Sequence, residues 1–263
     1  MTGEKLMSDS LDDGRNGRAA LPSVSLCFPA YNEEATIADV LQEAHELLSR
    51  SGLEYEILVC NDGSVDRTGA IIEELAGKVS RLRILHHQRN QGIRATFEHL
   101  YAEASGEFVF LNSTDRQWPT SILFEMLPLA KDWDIIIASR KDKHYRAVRK
   151  FVSWWFNAIP LILFGVRTFD AGAVKLTRRE IIHRFSLVSQ SPFSEAERII
   201  RAARAGYRIT QYPVETSDRR AGRAHGVSLS VVLQAVRDIP AVWWAIRRER
   251  VGEPQIKRAS VSS

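Results

Sequence analysis

Four short polar clusters interrupt the apolar runs of this chain, and each carries residue types that bind charged ligands. The run Val109-Phe110-Leu111 ends in Asn112-Ser113-Thr114-Asp115, followed by Arg116-Gln117-Trp118-Pro119. A lone carboxylate at such a corner, Asp115, can hold a hard divalent cation when substrate phosphates and water fill the remaining positions. It can also be a plain cap for a helix starting near Pro119, and the residues leave both readings open. Asn61-Asp62-Gly63-Ser64 closes a second apolar run. Asp62 can accept N–H bonds from a nucleobase, although Asp-Gly-Ser is also ordinary turn chemistry. Pro29-Ala30-Tyr31-Asn32-Glu33 offers a ring face, a hydroxyl and an acid, and Ser139-Arg140 a guanidinium.

These clusters need a frame that carries them to one rim. Ser23–Ala30, Tyr55–Asp62, the stretch LRILHHQ, the stretch EFVFLN and the stretch WDIIIASR read as short buried strands. Between them lie helical patterns: Glu33 to Ser49, SVDRTGAIIEELAGK, NQGIRATFEHLYAEAS and ILFEMLPLAK. Alternation of this kind predicts an α/β fold with a mostly parallel, doubly wound sheet. Ligands of such sheets bind beyond the carboxyl ends of the strands, where all four clusters fall. No GxGxxG follows any strand, which argues against a dinucleotide-binding fold.

Length and composition set outer bounds. The chain has 263 residues, 44% hydrophobic and 26% charged, with a net charge of +4. That suits one globular α/β domain with appendages. The mild basicity permits nucleotides, phosphates or an acidic membrane surface and selects none; nucleic acid is not an expected partner. Cys27 and Cys60 sit inside apolar runs and read as reduced, buried thiols; no spacing suggests zinc. His86 and His87, without a visible partner acid, read as structural. Residues 1–20 are expected to be a disordered leader and 251–263 a disordered tail. No apolar run reaches the ~20 residues needed to cross a bilayer. Two segments, Tyr145–Val166 and Val227–Arg250, combine paired Trp with basic flanks. Each suits an interfacial helix, or else packs on the sheet or forms a homodimer seam.

The stretches FPAYNEEATI, VCNDGSVDRT, NQG, GEFVFLNSTDRQWP and ASR together resemble the inverting family 2 glycosyltransferases of GT-A fold. Within them the chain is similar to polyprenyl-phosphate mannose or glucose synthases, from about Ser23 to Gly226. The resemblance implies a UDP- or GDP-sugar donor and a divalent metal, Mg²⁺ or Mn²⁺. It assigns Pro29, Ala30, Tyr31 and Glu33 to the nucleotide pocket. The family's Asp-Asp-Gly-Ser, which contacts base and ribose, becomes Asn61-Asp62-Gly63-Ser64, with only the second acid kept. The family's Asp-x-Asp falls on Ser113-Thr114-Asp115, so Asp115 is the implied metal ligand and Ser113 replaces an acid. Asp170 matches a family acid, although Ala173-Val174 replaces the usual Gly-Phe. Glu195 and Glu197 match an acid pair in the first turn of a helix, which a solvated helix N-terminus explains equally well. Asp218–Gly226 resembles a basic loop closing over donor phosphates, with Arg219, Arg220 and Arg223 chemically suited to that task.

The resulting expectation is a GT-A domain over 21–226, followed by an amphipathic helix over 227–250. The expected activity is inverting sugar transfer to a polyprenyl phosphate or related lipid-linked acceptor. The protein is expected to be cytoplasmic, peripheral on the inner face of a membrane. Asp115 is the metal ligand; Pro29, Ala30, Tyr31, Glu33, Asp62, Ser113, Arg140, Arg219 and Arg223 contact the donor. Asp170 and Glu195 are the candidate bases should the acceptor be a hydroxyl. Two alternatives stand beside this: transfer to a glycan or small-molecule hydroxyl, and a donor-binding or scaffold protein with weakened catalysis.

Overall fold

The computed structural model describes residues 22–141, 158–169, 174–215 and 229–249. Seven strands form one sheet: β1 (Val24–Ala30), β2 (Tyr55–Asn61), β3 (Leu82–His86), β4 (Phe108–Leu111), β5 (Ile135–Arg140), β6 (Lys175–Arg178) and β7 (Ile209–Val214). Their order is β3-β2-β1-β4-β6-β5-β7. Among the described residues only β6 runs antiparallel, to β4 on one side and β5 on the other. Its first residue, Lys175, therefore pairs with Leu111 at the rim where the parallel strands end.

Helices cover both faces of this sheet. On β1, Leu26 and Phe28 enter one core while Cys27 enters the other, as strand alternation demands. The larger core takes α1 (Ile37–Ser49) and α2 (Thr68–Ala76). α1 buries Ile37, Val40, Leu41, Ala44 and Leu48, a single stripe at helical spacing. The smaller core lies under α3 (Ile93–Glu103), whose Leu100 and Tyr101 meet Cys27, Leu58, Cys60 and Leu111. α4 (Ile122–Met126) leads to β5 through a 3₁₀ turn at Leu127–Lys131.

Beyond β5 come α5 (158–164), α6 (Arg179–Arg184), α7 (Phe193–Arg204) and α8 (Leu229–Arg248). From Phe193 to Ala202, every residue of α7 is buried. The described part of the segment expected over 227–250 contains the helix α8, which packs on α7. Ala235, Ile239, Val242 and Ile246 meet Phe193, Ala196, Ile200 and Phe164. Its opposite side exposes Leu233, Val236 and Trp244. No helix among the described residues is long and apolar enough to cross a membrane. The expected leader and tail, Asp170, Arg219, Arg220 and Arg223, and the first Trp pair lie outside the described residues.

Candidate active site

The loops after β1 and β2 are stitched to each other. Asn32, at φ 55, donates its N–H to Ser64 Oγ at 3.0 Å, and its own Oδ1 accepts from Val65 N–H at 2.9 Å. Asn tolerates this left-handed backbone better than most residues, since its short amide bonds locally. Glu33 N–H donates to Thr68 Oγ1 at 2.8 Å, and Thr36 donates to the Glu33 carboxylate. Pro29 and Ala30 thus close β1, while Tyr31 and Glu33 sit on the loop after it, which is fixed by main-chain N–H bonds to the Ser64 and Thr68 side chains. Ala30 is buried, and Pro29, Tyr31 and Glu33 are partly open.

Asp62 is more deeply engaged than a base-contacting acid on an open rim. It is 3% exposed and accepts from Gln91 N–H at 2.8 Å, Gly92 N–H at 2.9 Å and His87 Nδ1 at 2.7 Å. Its carboxylate ties the start of α3 to the end of β2. Gly63 makes that approach possible: at φ +65, a Cβ would stand 2.4 Å from the Arg89 carbonyl carbon. The Asn61 amide is likewise engaged, accepting from Ser64 N–H at 3.0 Å and lying 3.3 Å from His86 Nδ1.

At the end of β4 the polar corner has a defined geometry. Asp115 is 7% exposed; its Oδ1 accepts from Ser113 Oγ at 2.6 Å and from Gln117 N–H at 3.1 Å. Thr114 Oγ1 donates to the Pro29 carbonyl at 3.1 Å, which joins this corner to the β1 loop. The alternative of Asp115 as a helix cap fails, because the residue before α4 is Ser121 and no side chain caps that helix. Serine at position 113 removes one carboxylate and donates a hydrogen bond to the one that remains. Arg116 holds φ 57, a strained value for this residue type, and is anchored by Asp39 at 2.6 Å. Arg140, at the end of β5, donates to Gln117 Oε1 at 3.0 Å and lies over the Trp118 ring.

Glu195 and Glu197 do not form a solvated helix start. Both are buried, at 2% and 0% exposed: Glu195 lies against Tyr101 of α3 and Lys175 of β6, and Glu197 against Arg201 and the main chain at Val188 and Ser189. Glu195 accepts from Lys175 Nζ at 2.6 Å and from Tyr101 OH at 2.9 Å, and Arg198 Nε lies 3.5 Å away. Burial alone would raise its pKa, but Lys175 and Arg198 override it and hold the carboxyl below its ordinary range. Glu197 accepts from Arg201 and from the N–H groups of Val188 and Ser189. Tyr101, buried and beside Glu195, is pushed well above the usual phenol range.

Two groups escape sequence reasoning. His87 does have a partner acid, Asp62, and His86 has Glu73 at 2.7 Å. His99, on α3, lies 3.0 Å from His87 Nε2, and a cleft of about 770 Å³ opens over both rings. Cys27 and Cys60 are free and buried, as expected; burial, with Asp62 nearby, pushes the Cys60 thiol up to about 12.

The model for glycosyl transferase family 2 matches residues 25–191, more than half of the chain. The chain belongs to this family. It is 33% identical over 135 residues to CsbB of Bacillus subtilis (strain 168), covering 49% of this chain and 40% of that protein, about two-fifths of its length. It is 26% identical over 242 residues to the dodecaprenyl-phosphate galacturonate synthase of Rhizobium johnstonii, covering 89% of this chain and 70% of that protein. Among solved structures, glucosyl-3-phosphoglycerate synthase of Mycobacterium tuberculosis, in complex with Mn²⁺, UDP and product, superimposes with a TM-score of 0.62. That match has 19% identity and covers 85% of this chain and 79% of the other, and it establishes a shared GT-A fold.

Proposed function

We propose that this chain transfers a sugar, with inversion, from a UDP- or GDP-sugar to a polyprenyl phosphate or related lipid-linked phosphate. The observation that carries this reading is the presentation of Asp115. A single carboxylate, oriented by Ser113 and Gln117, stands at a strand end beside the β1 loop. An oxygen donor set of one carboxylate with a neighbouring hydroxyl fits Mg²⁺ or Mn²⁺, which take few protein ligands when a diphosphate supplies the rest. Asp115 would hold such an ion, with Ser113 as its hydrogen-bonding support. When bound, the ion would stabilise negative charge developing on the departing nucleoside diphosphate.

The chain's own residues supply the rest. Tyr31 and Glu33, on a loop fixed from behind, line the nucleotide side, while Asp62 holds the neighbouring loop in shape. Arg140 reaches the rim from β5 and is suited to a phosphate oxygen, as are Arg219 and Arg223. A phosphate acceptor is anionic at neutral pH, so the protein needs to orient it and exclude water rather than deprotonate it. The acceptor class is supported by the Rhizobium relative, which aligns over most of this chain. A hydroxyl acceptor would require a base, and Asp170 is the better candidate, since Glu195 is committed to Lys175.

A second reading, a donor-binding homologue with weakened turnover, draws on Asn61, whose amide already serves Ser64 and His86. Incubation of the protein with UDP- and GDP-sugars, Mn²⁺ and a short polyprenyl phosphate separates the readings. Metal-dependent formation of glycosylated lipid phosphate is the expected result. Donor binding without release of nucleoside diphosphate, with or without acceptor, would overturn it in favour of the second reading.

A further inference from the structure

Cys60 Sγ, His87 Nε2 and His99 Nδ1 converge from three different elements: the end of β2, the residue after β3, and α3. Their ligand atoms all lie within 4.8 Å of one another. The two nitrogens are 3.0 Å apart, and the sulfur stands 3.8 Å from His87 and 4.0 Å from His99. Zinc–nitrogen bonds of about 2.0–2.1 Å and a zinc–sulfur bond of about 2.3 Å require, at tetrahedral angles, separations of about 3.4 Å between nitrogens and about 3.6 Å from nitrogen to sulfur. Each observed distance lies within about 0.4 Å of these values. The rings are within 5° of parallel, with centroids 5.1 Å apart.

We propose that Cys60, His87 and His99 form a binding site for a borderline-soft divalent ion of the zinc type, separate from the hard-cation position at Asp115. Three features beyond convergence support it. Asp62 accepts from His87 Nδ1, leaving Nε2 as the coordinating atom. A carboxylate behind a ligating histidine fixes ring orientation and raises its basicity in metal centres generally. His87 and His99 also form part of the wall of the open cleft, together with His86, Gln91 and Arg89. That cleft gives the ion a way in and a fourth position for water. Finally, one sulfur and two imidazoles are a set that magnesium disfavours and zinc, cobalt or copper accept.

Without an ion, the His99 Nδ1–H to His87 Nε2 hydrogen bond accounts for the short nitrogen contact. On binding, His99 carries its proton on Nε2 instead, and the Cys60 thiol releases one proton to solvent as the sulfur–metal bond forms. The occupied site would cross-link β2 to α3 directly behind Asp62, the residue that shapes the donor-side loop.

The test uses the full chain, reduced and stripped with chelator, titrated with Co²⁺ alone and then with Zn²⁺. One Co²⁺ per chain is expected, with tetrahedral d–d bands and a thiolate-to-cobalt charge-transfer band, displaced by one equivalent of Zn²⁺. Cys60→Ser should remove the charge-transfer band, and His99→Gln should weaken Co²⁺ by about 10-fold or more. Cys27→Ser and Asp115→Asn should leave both signals intact, with circular dichroism confirming that each variant is folded. Absence of the bands in the parent chain, or a charge-transfer band that survives Cys60→Ser, would overturn the site. Because donor and acceptor are absent, neither result depends on the proposed transferase activity.

Discussion

Replacing Glu195 by Gln asks whether this acid is a counter-ion or a base. The substitution keeps size and an acceptor oxygen but deletes the negative charge between Lys175 and Arg198, both of which are buried. Removing one partner of a buried ion pair leaves an uncompensated charge and costs about 3–5 kcal/mol. Because the amide still accepts from Lys175 or Tyr101, the expected loss is near the lower end, about 3 kcal/mol. For a domain of this size that lowers Tm by roughly 6–12 °C. Adding Lys175→Met removes the orphaned cation, so the double variant should recover part of the loss, with a coupling of about 0.5–3 kcal/mol. The pH dependence follows from a carboxyl held below its ordinary value of 4.5. Its stabilising effect is full above that value and disappears as pH falls through the depressed folded pKa. Parent and Glu195→Gln melting curves should therefore converge below pH 4.5. Thermal melts with circular dichroism, from neutral pH down to strong acid, supply the comparison. A variant with unchanged Tm and abolished turnover would refute this reasoning and restore Glu195 as a base.

Burial pushes the Glu56 carboxyl up, but hydrogen bonds from Ser25, Ser105 and Arg83 together outweigh it and hold it at about 2. With allowance for solvent screening, Glu56→Gln should cost about 1–2 kcal/mol at pH 7, and denaturant curves at falling pH should show the difference fading between 4.5 and about 2. Gly63→Ala places a methyl group against the main chain of Arg89 and Asn90, so Tm should fall by several degrees and donor affinity with it, as fluorimetric melts with and without UDP would show. α8 exposes Leu233, Val236 and Trp244 beside Arg247 and Arg248. Sedimentation with anionic vesicles should show binding at low salt that is lost at high salt, and Trp244→Ser should weaken it severalfold.

The parallel half of the sheet was open to sequence reasoning because its strands are short apolar runs that each end in a polar cluster. β6 was not, since Lys-Leu-Thr-Arg has two charged residues in four and its pairing between β4 and β5 is a long-range event. The Asp115 corner stood out in sequence as a polar cluster closing an apolar run, and the structure adds that Ser113 donates a hydrogen bond to the acid it flanks. The burial of Asp62 was not legible: its partners are 25 to 30 residues away, and no local pattern announces them. Glu195 and Glu197 look solvated in sequence because first-turn acids usually are. Burial of Glu195 against Tyr101 and Lys175, and of Glu197 against the Val188–Ser189 main chain and Arg201, reverses that. His99 carried no signal except its place on the helix that covers Cys60, visible once the strand order is known.

The central claim is that Asp115 binds the metal that accompanies the donor, and isothermal titration of Mn²⁺ in the presence of UDP tests it most directly. The parent chain should show UDP-dependent Mn²⁺ binding. Asp115→Asn, which keeps shape but loses the charge that attracts the ion, should lose that binding while Tm stays nearly the same. Ser113→Asp, which returns a second carboxylate to the corner, should tighten it. If Asp115→Asn binds Mn²⁺ and UDP as the parent does, Asp115 is a turn residue and the proposed site is wrong.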